Sequence, residues 1–389
     1  MIAKLESYEL LFNTQVCFFM TFNDYLFMIK NDVFLQTMKT SIIIIFFFLA
    51  ISVFAQSPSS DNNEEMKNRP FPKDTLWAKK SNDYYDDYSN LLGLFLQAKH
   101  KSTNFIIKDR FSGKTLDYSP ENQLYLGPGF TYKIIGNGLS MNFGFLNKTQ
   151  GGEPTKRIDL YVNLIMKKVV FDFGFRYYQN FTLKNAEALY SGSNNTNKAY
   201  IRPDIRTLYM GMGAVYVLSY KKFSYRAAFT QTAIQKKSAG SFMFGSQLFL
   251  QGVVGDSSIF PKQTALPEVT THSSIYLGFT VAYAYNLIIK KHYFMALTLS
   301  SSIEFGKAVT VLNTGDRYRN RLPILHLQPR LVAGINKPKW YAGVSLMRDY
   351  FVPIFTSNEN QFEFSFRSGN VRLFYGMRFN WLSRKQLKE

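Results

Sequence analysis

The sequence predicts an all-β protein, a single closed antiparallel transmembrane β-barrel of about 12–14 strands with a polar N-terminal lead-in. Three observations carry this prediction. Apolar and polar residues alternate over long stretches, aromatic residues make up 17% of the 389 residues, and short turns alternate with longer polar loops. A tilted strand of about 9–11 residues crosses a bilayer, and aromatic girdles mark the two interfaces.

Composition excludes several other classes. Hydrophobic residues make up 46% of the chain, which excludes intrinsic disorder. A single Cys excludes a disulfide scaffold and a Cys-based metal site. Long apolar runs are almost absent, which argues against a bundle of membrane-spanning helices. The net charge is +19.

The N-terminal part predicts export. Residues 38–55 read as a signal peptide, with a short basic start, an apolar core and small residues before a cleavage site between Ala55 and Gln56. A retained anchor helix is the alternative. Residues 1–37 precede this signal, and we interpret them as an upstream extension from a start placed too early, with Met38 as the true start.

The mature chain divides in two. Residues 56–90 form the polar lead-in and 91–389 the barrel. Alternation places successive side chains on opposite faces of a strand, so each predicted strand has one apolar face and one polar or small face. The clearest such segments are 171–178, 223–230, 275–286 and 371–381.

Turns and loops set the predicted strand count. Residues 103–108 and 362–367 could be strand or loop, which leaves the count open. The short, basic or Gly-rich joints are 135–138, 220–222, 290–291 and 336–339. The longer polar loops are about 147–156, 183–205, 253–272, 306–322 and 355–369. A soluble β-sandwich or propeller is the alternative, but the strands are too long for it.

Four runs of residues resemble a known family. They are YYDDYS at 84–89, LLGLFL at 91–96, LGPGFTY at 126–132 and QKKSAGSFMFG at 235–245. The chain resembles an uncharacterised Bacteroidetes-type outer-membrane β-barrel family, domain of unknown function 4421, over about residues 84–381. The resemblance implies an outer-membrane β-barrel and carries no catalytic residues.

Polar residues inside the predicted strands are candidates for the lumen wall. An Arg or Lys that faces lipid at the bilayer midplane costs about 2–4 kcal/mol, so these side chains should point inward or lie near an interface. The candidates are Asp159, Asn163, Asp172, Arg176, Arg226, Glu304, Gln328, Arg330, Arg372 and Arg378. They could pair and fill a closed lumen, or line a pore that favours anions.

A catalytic alternative rests on His292 with Ser300 and Ser302, because membrane-barrel lipid hydrolases use a Ser and a His near the rim. An interfacial His292 and a lumen-polar His326 are the simpler interpretation. The four His lack metal-ligand spacing, so we expect no metal and no cofactor.

The expected function is therefore a non-enzymatic barrel of a Gram-negative outer membrane. It would be either a narrow pore for small polar or anionic solutes or a structural envelope component. The alternatives are a barrel lipid hydrolase or acyltransferase and a secreted soluble β protein that binds a surface glycan. Basic residues are spread over turns and loops without a stripe, which argues against nucleic acid. Expected partners are outer-membrane lipid, lipopolysaccharide and the barrel-assembly machinery; the oligomeric state stays open.

Overall fold

The computed structural model describes residues 80–110, 113–121, 124–141, 143, 155–185, 200–260, 268–321, 323–354 and 362–380. The predicted upstream extension, the signal peptide and residues 56–79 of the lead-in lie outside the described residues. Within the described ranges the chain forms 17 β-strands and one short helix.

The elements follow in chain order. They are β1 (Lys80–Ser81), β2 (Tyr85–Asp87), β3 (Leu92–Asp109), β4 (Thr115–Pro120), β5 (Leu124–Tyr132), β6 (Ile135–Gly138), β7 (Lys156–Ile165), β8 (Val169–Leu183), β9 (Tyr200–Val217), α1 (Tyr225–Phe229), β10 (Ala233–Gln235), β11 (Ala239–Val254), β12 (Val269–Ile289), β13 (Tyr293–Leu312), β14 (Arg317–Asn320), β15 (Ile324–Asn336), β16 (Trp340–Pro353) and β17 (Phe362–Phe379).

A ring of 12 strands closes on itself, which confirms the predicted antiparallel barrel. Around the ring the order is β3, β5, β6, β7, β8, β9, β11, β12, β13, β15, β16 and β17, and β17 pairs with β3. The two segments that could be strand or loop pair with each other in this closure. Arg367 lies opposite Asn104, and Phe362 lies opposite Asp109.

The two ends of the barrel differ in their connections. Short turns join β5 to β6, β7 to β8, β12 to β13 and β15 to β16 at one end, which we call the turn end. The connections between β8 and β9, β11 and β12, and β16 and β17 lie at the opposite end, which we call the loop end. Strands extend into the predicted loops, so that β13 reaches Leu312 and β17 begins at Phe362.

The outer wall is apolar. Along β12 the outward residues are Leu277, Phe279, Val281, Tyr283 and Tyr285, and Phe279 is 74% exposed. A continuous outer belt of this kind is unfavourable in water and favourable in hydrocarbon, which identifies the fold as a transmembrane barrel. Among the described residues, the one helix is too short to span a membrane.

The prediction of a strand over residues 223–230 is wrong, because this segment contains helix α1. Ser224 caps the helix, and its hydroxyl accepts a hydrogen bond from the Ala227 backbone N–H. The neighbouring strands β9 and β11 already pair with each other, so the ring offers no place for another strand between them. The alternating aromatic residues pack inside the barrel instead, where Phe223 and Tyr225 are buried.

The turn end is closed by what we call the plug, residues 80–91 and 218–238. In the plug, β1, β2 and β10 form a separate three-stranded sheet, and α1 points into the barrel. Around α1 lies an apolar layer that includes Phe95, Phe294 and Phe374, and Phe229 of α1 packs against it. The plug and this layer together form the floor of the lumen.

The loop end is closed by apolar side chains that we call the roof. Strand β4 pairs with both β3 and β8 there and bridges the gap above the shorter strands β5 to β7. The roof consists of Phe105, Ile107, Leu116, Tyr118, Tyr178, Phe181, Leu183, Ile205, Val253, Ile259, Phe260 and Val269.

Candidate functional site

Between floor and roof lies a layer of charged and polar side chains that face the lumen, the charged layer. It arises from the same alternation that makes the outer wall apolar, because each ring strand presents every second residue inward. Nine of the ten predicted lumen residues lie on ring strands and have polar partners or ring contacts inside the barrel. The tenth, Arg226, lies on α1 in the plug.

Arg330 on β15 connects four elements across the lumen. Its Nη2 donates to Asp172 Oδ2 on β8 at 2.9 Å and to Tyr161 Oη on β7 at 3.0 Å. Its Nη1 donates to Tyr225 Oη on α1 at 3.2 Å, and Gln328 Oε1 accepts from Nη2 at 2.7 Å. The charged layer is thereby tied directly to the plug.

Arg176 on β8 makes a second connection across the barrel. Its Nη1 donates to Ser368 Oγ on β17 at 2.6 Å, and its Nη2 lies 3.6 Å from Asp349 Oδ2 on β16. Gln328 Nε2 donates to the other oxygen of Asp349 at 2.5 Å. The guanidinium and the carboxylate therefore join strands on opposite sides of the lumen.

The other predicted lumen residues on β7 and β8 also make hydrogen bonds inside the barrel. Asp159 accepts from Lys101 Nζ and from Tyr178 Oη, each at 2.6 Å. Asn163 donates to Asp172 from the neighbouring strand. A buried carboxylate is stable only with such partners, so these bonds explain why acids are tolerated in the wall.

Glu304 meets a buried polar cluster on β11, β13 and β15. Gln247 Nε2 lies within hydrogen-bond distance of Glu304, of Ser302 Oγ at 2.9 Å and of His326 Nδ1 at 2.6 Å. The His326 ring stacks on Phe351 with centroids 4.2 Å apart. Its Nε2 is 3.5 Å from Asp349 Oδ1.

This cluster differs from a Ser–His pair in a hydrolase. A nucleophilic serine needs a direct hydrogen bond to its base. Here the Gln247 amide lies between Ser302 and His326, and the Ser302 hydroxyl also bonds Thr280 Oγ1 at 2.9 Å. His292 lies in the turn between β12 and β13, away from Ser300 and Ser302, which lie farther along β13.

The charged layer surrounds a small cavity that polar and apolar side chains line together. Its lining includes Tyr161, Arg176, Gln247, His326 and Arg330. About 60 Å³ is open to water centres, which is room for a small group of waters. Such waters can donate to or accept from the buried His326 Nε2, which makes no hydrogen bond to the described protein atoms and lies 3.5 Å from Asp349 Oδ1.

Two inward cations lack a carboxylate. Lys99 on β3 and Arg372 on β17 lie directly opposite each other. Arg372 Nε donates to Ser345 Oγ at 3.3 Å, and its guanidinium lies 4.6 Å from the centre of the Phe374 ring. Neither residue takes part in the ion pairs found among the described residues. Like charges directly opposite each other on a sheet are destabilising, so this is a costly arrangement for two inward basic side chains.

Arg226 and Arg378, the last two of the predicted lumen residues, stabilise the floor. Arg226 Nη2 on α1 pairs with Asp87 Oδ2 on β2 at 2.8 Å. Arg378 Nη2 on β17 donates to Asn336 Oδ1 at 2.6 Å, and its Nε donates to the Gln231 carbonyl at 3.1 Å. The plug is thus anchored to the ring and within itself by charge-assisted hydrogen bonds.

The Asp87–Arg226 pair predicts an acid-sensitive plug. Burial alone would raise the pKa of Asp87, but the Arg226 guanidinium and the Ser89 backbone N–H hold this pKa below its ordinary value. The pair therefore stabilises the plug above the ordinary Asp pKa, and this contribution is lost as the pH falls through the lowered pKa. We expect Asp87→Asn to lower hydrogen-exchange protection of the α1 amides about tenfold at neutral pH.

In the native protein we expect hydrogen-exchange protection of the α1 amides to fall in acid as Asp87 becomes protonated. In Asp87→Asn this pH-dependent fall should be absent. Asp83→Asn is the matched control, because Asp83 is an exposed acid in the same segment. Equal protection in the native and Asp87→Asn proteins would contradict the assigned role of the pair.

Sequence reasoning missed three members of the site: Asp349, Gln247 and Tyr225. The first two carried a usable signal, because each is an inward polar residue in a strand whose other face is apolar. Tyr225 carried no such signal, because its segment alternates like a strand and its lumen position depends on α1. Among the described residues, no group of three or more His, Cys, Asp or Glu is placed to hold a metal ion.

Comparisons with known proteins identify a family. The model of the family described as Domain of unknown function (DUF4421) matches residues 73–379, which confirms the resemblance. No curated protein matches the chain.

Solved structures with some similarity include outer-membrane proteins. The outer membrane protease OmpT from Escherichia coli has a TM-score of 0.37 and 8% identity, covering 77% of this chain and 99% of its own. The toluene transporter TodX of P. putida has a TM-score of 0.23 and 10% identity, covering 77% and 91%. The architecture therefore rests on the strand pairing of the chain itself.

Proposed function

We propose a function for this chain, which belongs to the family described as Domain of unknown function (DUF4421). The protein is a non-enzymatic outer-membrane β-barrel that is closed to solutes and serves as a structural component of the envelope. One observation carries the proposal: Arg330 bonds the ring strands and the plug residue Tyr225 at the same time. A side chain in this position blocks the path along the barrel axis.

Closure at three levels supports this proposal over an open pore. The plug fills the turn end, the charged layer crosses the middle, and the roof fills the loop end. An ion that crosses the barrel must pass the plug, the charged layer and the roof one after another. If any one of these three layers stays closed, no steady current flows. The small cavity in the middle has room for only a few waters.

The outer membrane is supported by the strand architecture. Short turns at one end and longer connections at the other are typical of outer-membrane barrels, in which the turns face the periplasm. We therefore assign the turn end to the periplasm and the loop end to the cell surface.

The polar cluster gives little support to lipid hydrolysis. Gln247 separates Ser302 from His326, and both lie between the roof and the floor, where an acyl chain has no entry. A second candidate function, a gated anion pore, is favoured by the unmatched Lys99 and Arg372. In that case the plug and the roof would have to move.

The test combines fractionation, gel mobility and planar-bilayer recording. We expect the protein in the outer-membrane fraction, a faster-migrating band before boiling, and no current steps from the intact barrel. Regular anion-selective steps from the intact protein would overturn closure and favour the pore. Lipid turnover by the purified barrel that Ser302→Ala abolishes would overturn the non-enzymatic assignment.

A further inference from the structure

The outer wall of β16, β17 and β3 changes character along the strands. On β17 the outward residues from the turn end are Phe379, Met377, Tyr375, Leu373 and Val371, and all five are exposed apolar side chains. Farther toward the loop end, β17 and β3 present polar or basic outward residues, among them Arg367, Ser102 and Asn104, whereas on β16 the outward Val352 is still an exposed apolar residue. On β17 and β3 this change marks where the hydrocarbon ends and the headgroups begin on the loop-end side.

Arg348 lies at this boundary and crosses the neighbouring strand. It is opposite Gly369 on β17, which is opposite Ser102 on β3. Its Nη1 donates to Ser102 Oγ at 2.6 Å. A Cβ on Gly369 would lie 2.5 Å from Arg348 Cδ, so the glycine lets the arginine lie flat against the wall.

Arg367 brings a second guanidinium to the same place. It is exposed, and it lies opposite Tyr350 on β16 and Asn104 on β3. Two residues along β17 is Gly369, over which Arg348 passes, so the two arginines are diagonal neighbours on one face.

Two acidic residues, Asp117 and Glu363, lie near this patch. Asp117 accepts from Asn104 Nδ2 at 2.8 Å, and Glu363 lies opposite Lys108. Neither Arg348 nor Arg367 belongs to an ion pair among the described residues. Among the described residues the patch therefore presents two positive charges to the headgroup region without an ion-pair partner.

We propose that Arg348 and Arg367 form a binding site for the phosphate of a phosphorylated lipid headgroup in the outer leaflet. The planar guanidinium presents paired N–H donors that match phosphate oxygens, and two arginines here occupy diagonal positions on adjacent strands. Tyr350, 39% exposed, adds an aromatic ring of the kind that favours the interface. The acyl chains of such a lipid would lie along the apolar residues of β17.

This inference rests on the proposed outer-membrane orientation, and it is tested by a readout that does not depend on sidedness. The purified barrel in detergent micelles is titrated with bisphosphorylated lipid A, with the dephosphorylated form and with inorganic phosphate. Each basic residue near a membrane surface contributes roughly fivefold, so we expect the phosphorylated lipid to bind about thirtyfold tighter than the dephosphorylated one.

The double variant Arg348→Gln/Arg367→Gln should bind both lipids equally, and Arg348→Lys/Arg367→Lys should keep part of the preference. The control Lys290→Gln/Lys291→Gln removes the same charge from exposed turn-end residues and should keep all of it. The faster-migrating band before boiling shows that each variant is folded. If the double Gln variant does not fold, Arg367→Gln alone carries the test, because this exposed side chain has no ion-pair partner in the part of the chain that the structure describes.

Three results would overturn the site: an unchanged preference in the Gln variant, an equal loss in the Lys290 and Lys291 control, or displacement of lipid by inorganic phosphate at the same concentration. Orientation is measured separately, by labelling Arg319→Cys on intact cells, since Arg319 is exposed at the loop end. Labelling without lipid preference would reject the lipid site alone, and lipid preference without labelling would reject the orientation alone.

Discussion

Replacing Arg330 with Met should lower the free energy of unfolding of the barrel by about 3–5 kcal/mol, whereas replacing Arg372 with Met should change it by about 1 kcal/mol or less. Both guanidinium groups face the lumen. Arg330 is bound to Asp172, and its loss leaves a carboxylate inside the barrel without its cation. Arg372 has a hydroxyl and an aromatic ring as partners, so no charge is orphaned when it is removed.

The measurement is urea-driven unfolding in lipid vesicles, supported by the temperature at which the faster-migrating band disappears. The double variant Arg330→Met/Asp172→Leu provides an internal check. Replacing both members of a buried pair by apolar residues is often neutral, so it should recover much of the loss. Equal destabilisation by the two single Met variants would show that packing, and not the charge pair, sets the cost.

Replacing residues 220–236 by a short turn should open the lumen from the turn end without producing current. The reporter is Thr298→Cys, because Thr298 is fully buried next to the layer that α1 contacts and faces the lumen from β13. With the plug present, a thiol reagent reaches this position only through local opening. Local opening of a packed region costs a few kcal/mol, and every 1.4 kcal/mol lowers the labelling rate about tenfold. We therefore expect labelling to accelerate about a hundredfold or more when the plug is removed.

Conductance should stay absent in the same variant, since the roof still closes the loop end. Met295→Cys is the matched control, because Met295 lies on the same strand but faces outward. Its labelling should not depend on the plug. Current steps from the plug-less barrel would show that the roof is permeable and would favour the gated anion pore.

The outer wall and the ring were predictable from the sequence, because both follow from a local pattern. Alternation at residues 275–286 places Phe279 outward and Thr280 inward whatever the distant partners are. The pairing of 103–108 with 362–367 was not predictable, because the alternation of 362–367 indicates a strand but does not identify its partner, and 103–108 lies near the other end of the chain. Register between the ends of a chain depends on contacts that a local window does not contain.

The candidate site was predictable only as a set of residues. Inward positions such as Asp172 and Arg330 follow from the cost of charge in lipid. Their pairing does not follow, because these two residues are far apart in sequence and come together through the curvature of the ring. The plug escaped prediction for a different reason. Residues 223–230 alternate, yet the pairing of β9 with β11 leaves them no strand to join.

The bonds across the lumen also bear on biogenesis. Inside the barrel Arg176 meets Ser368, and on the outer wall Arg348 meets Ser102, only after the first and last ring strands have paired. A half-inserted chain would hold these arginines without their hydrogen-bond partners, which is energetically unfavourable. This penalty disappears when β17 pairs with β3. The charged interior therefore distinguishes a finished barrel from an unfinished one, and it gives the insertion process an energetic endpoint that an apolar interior would lack.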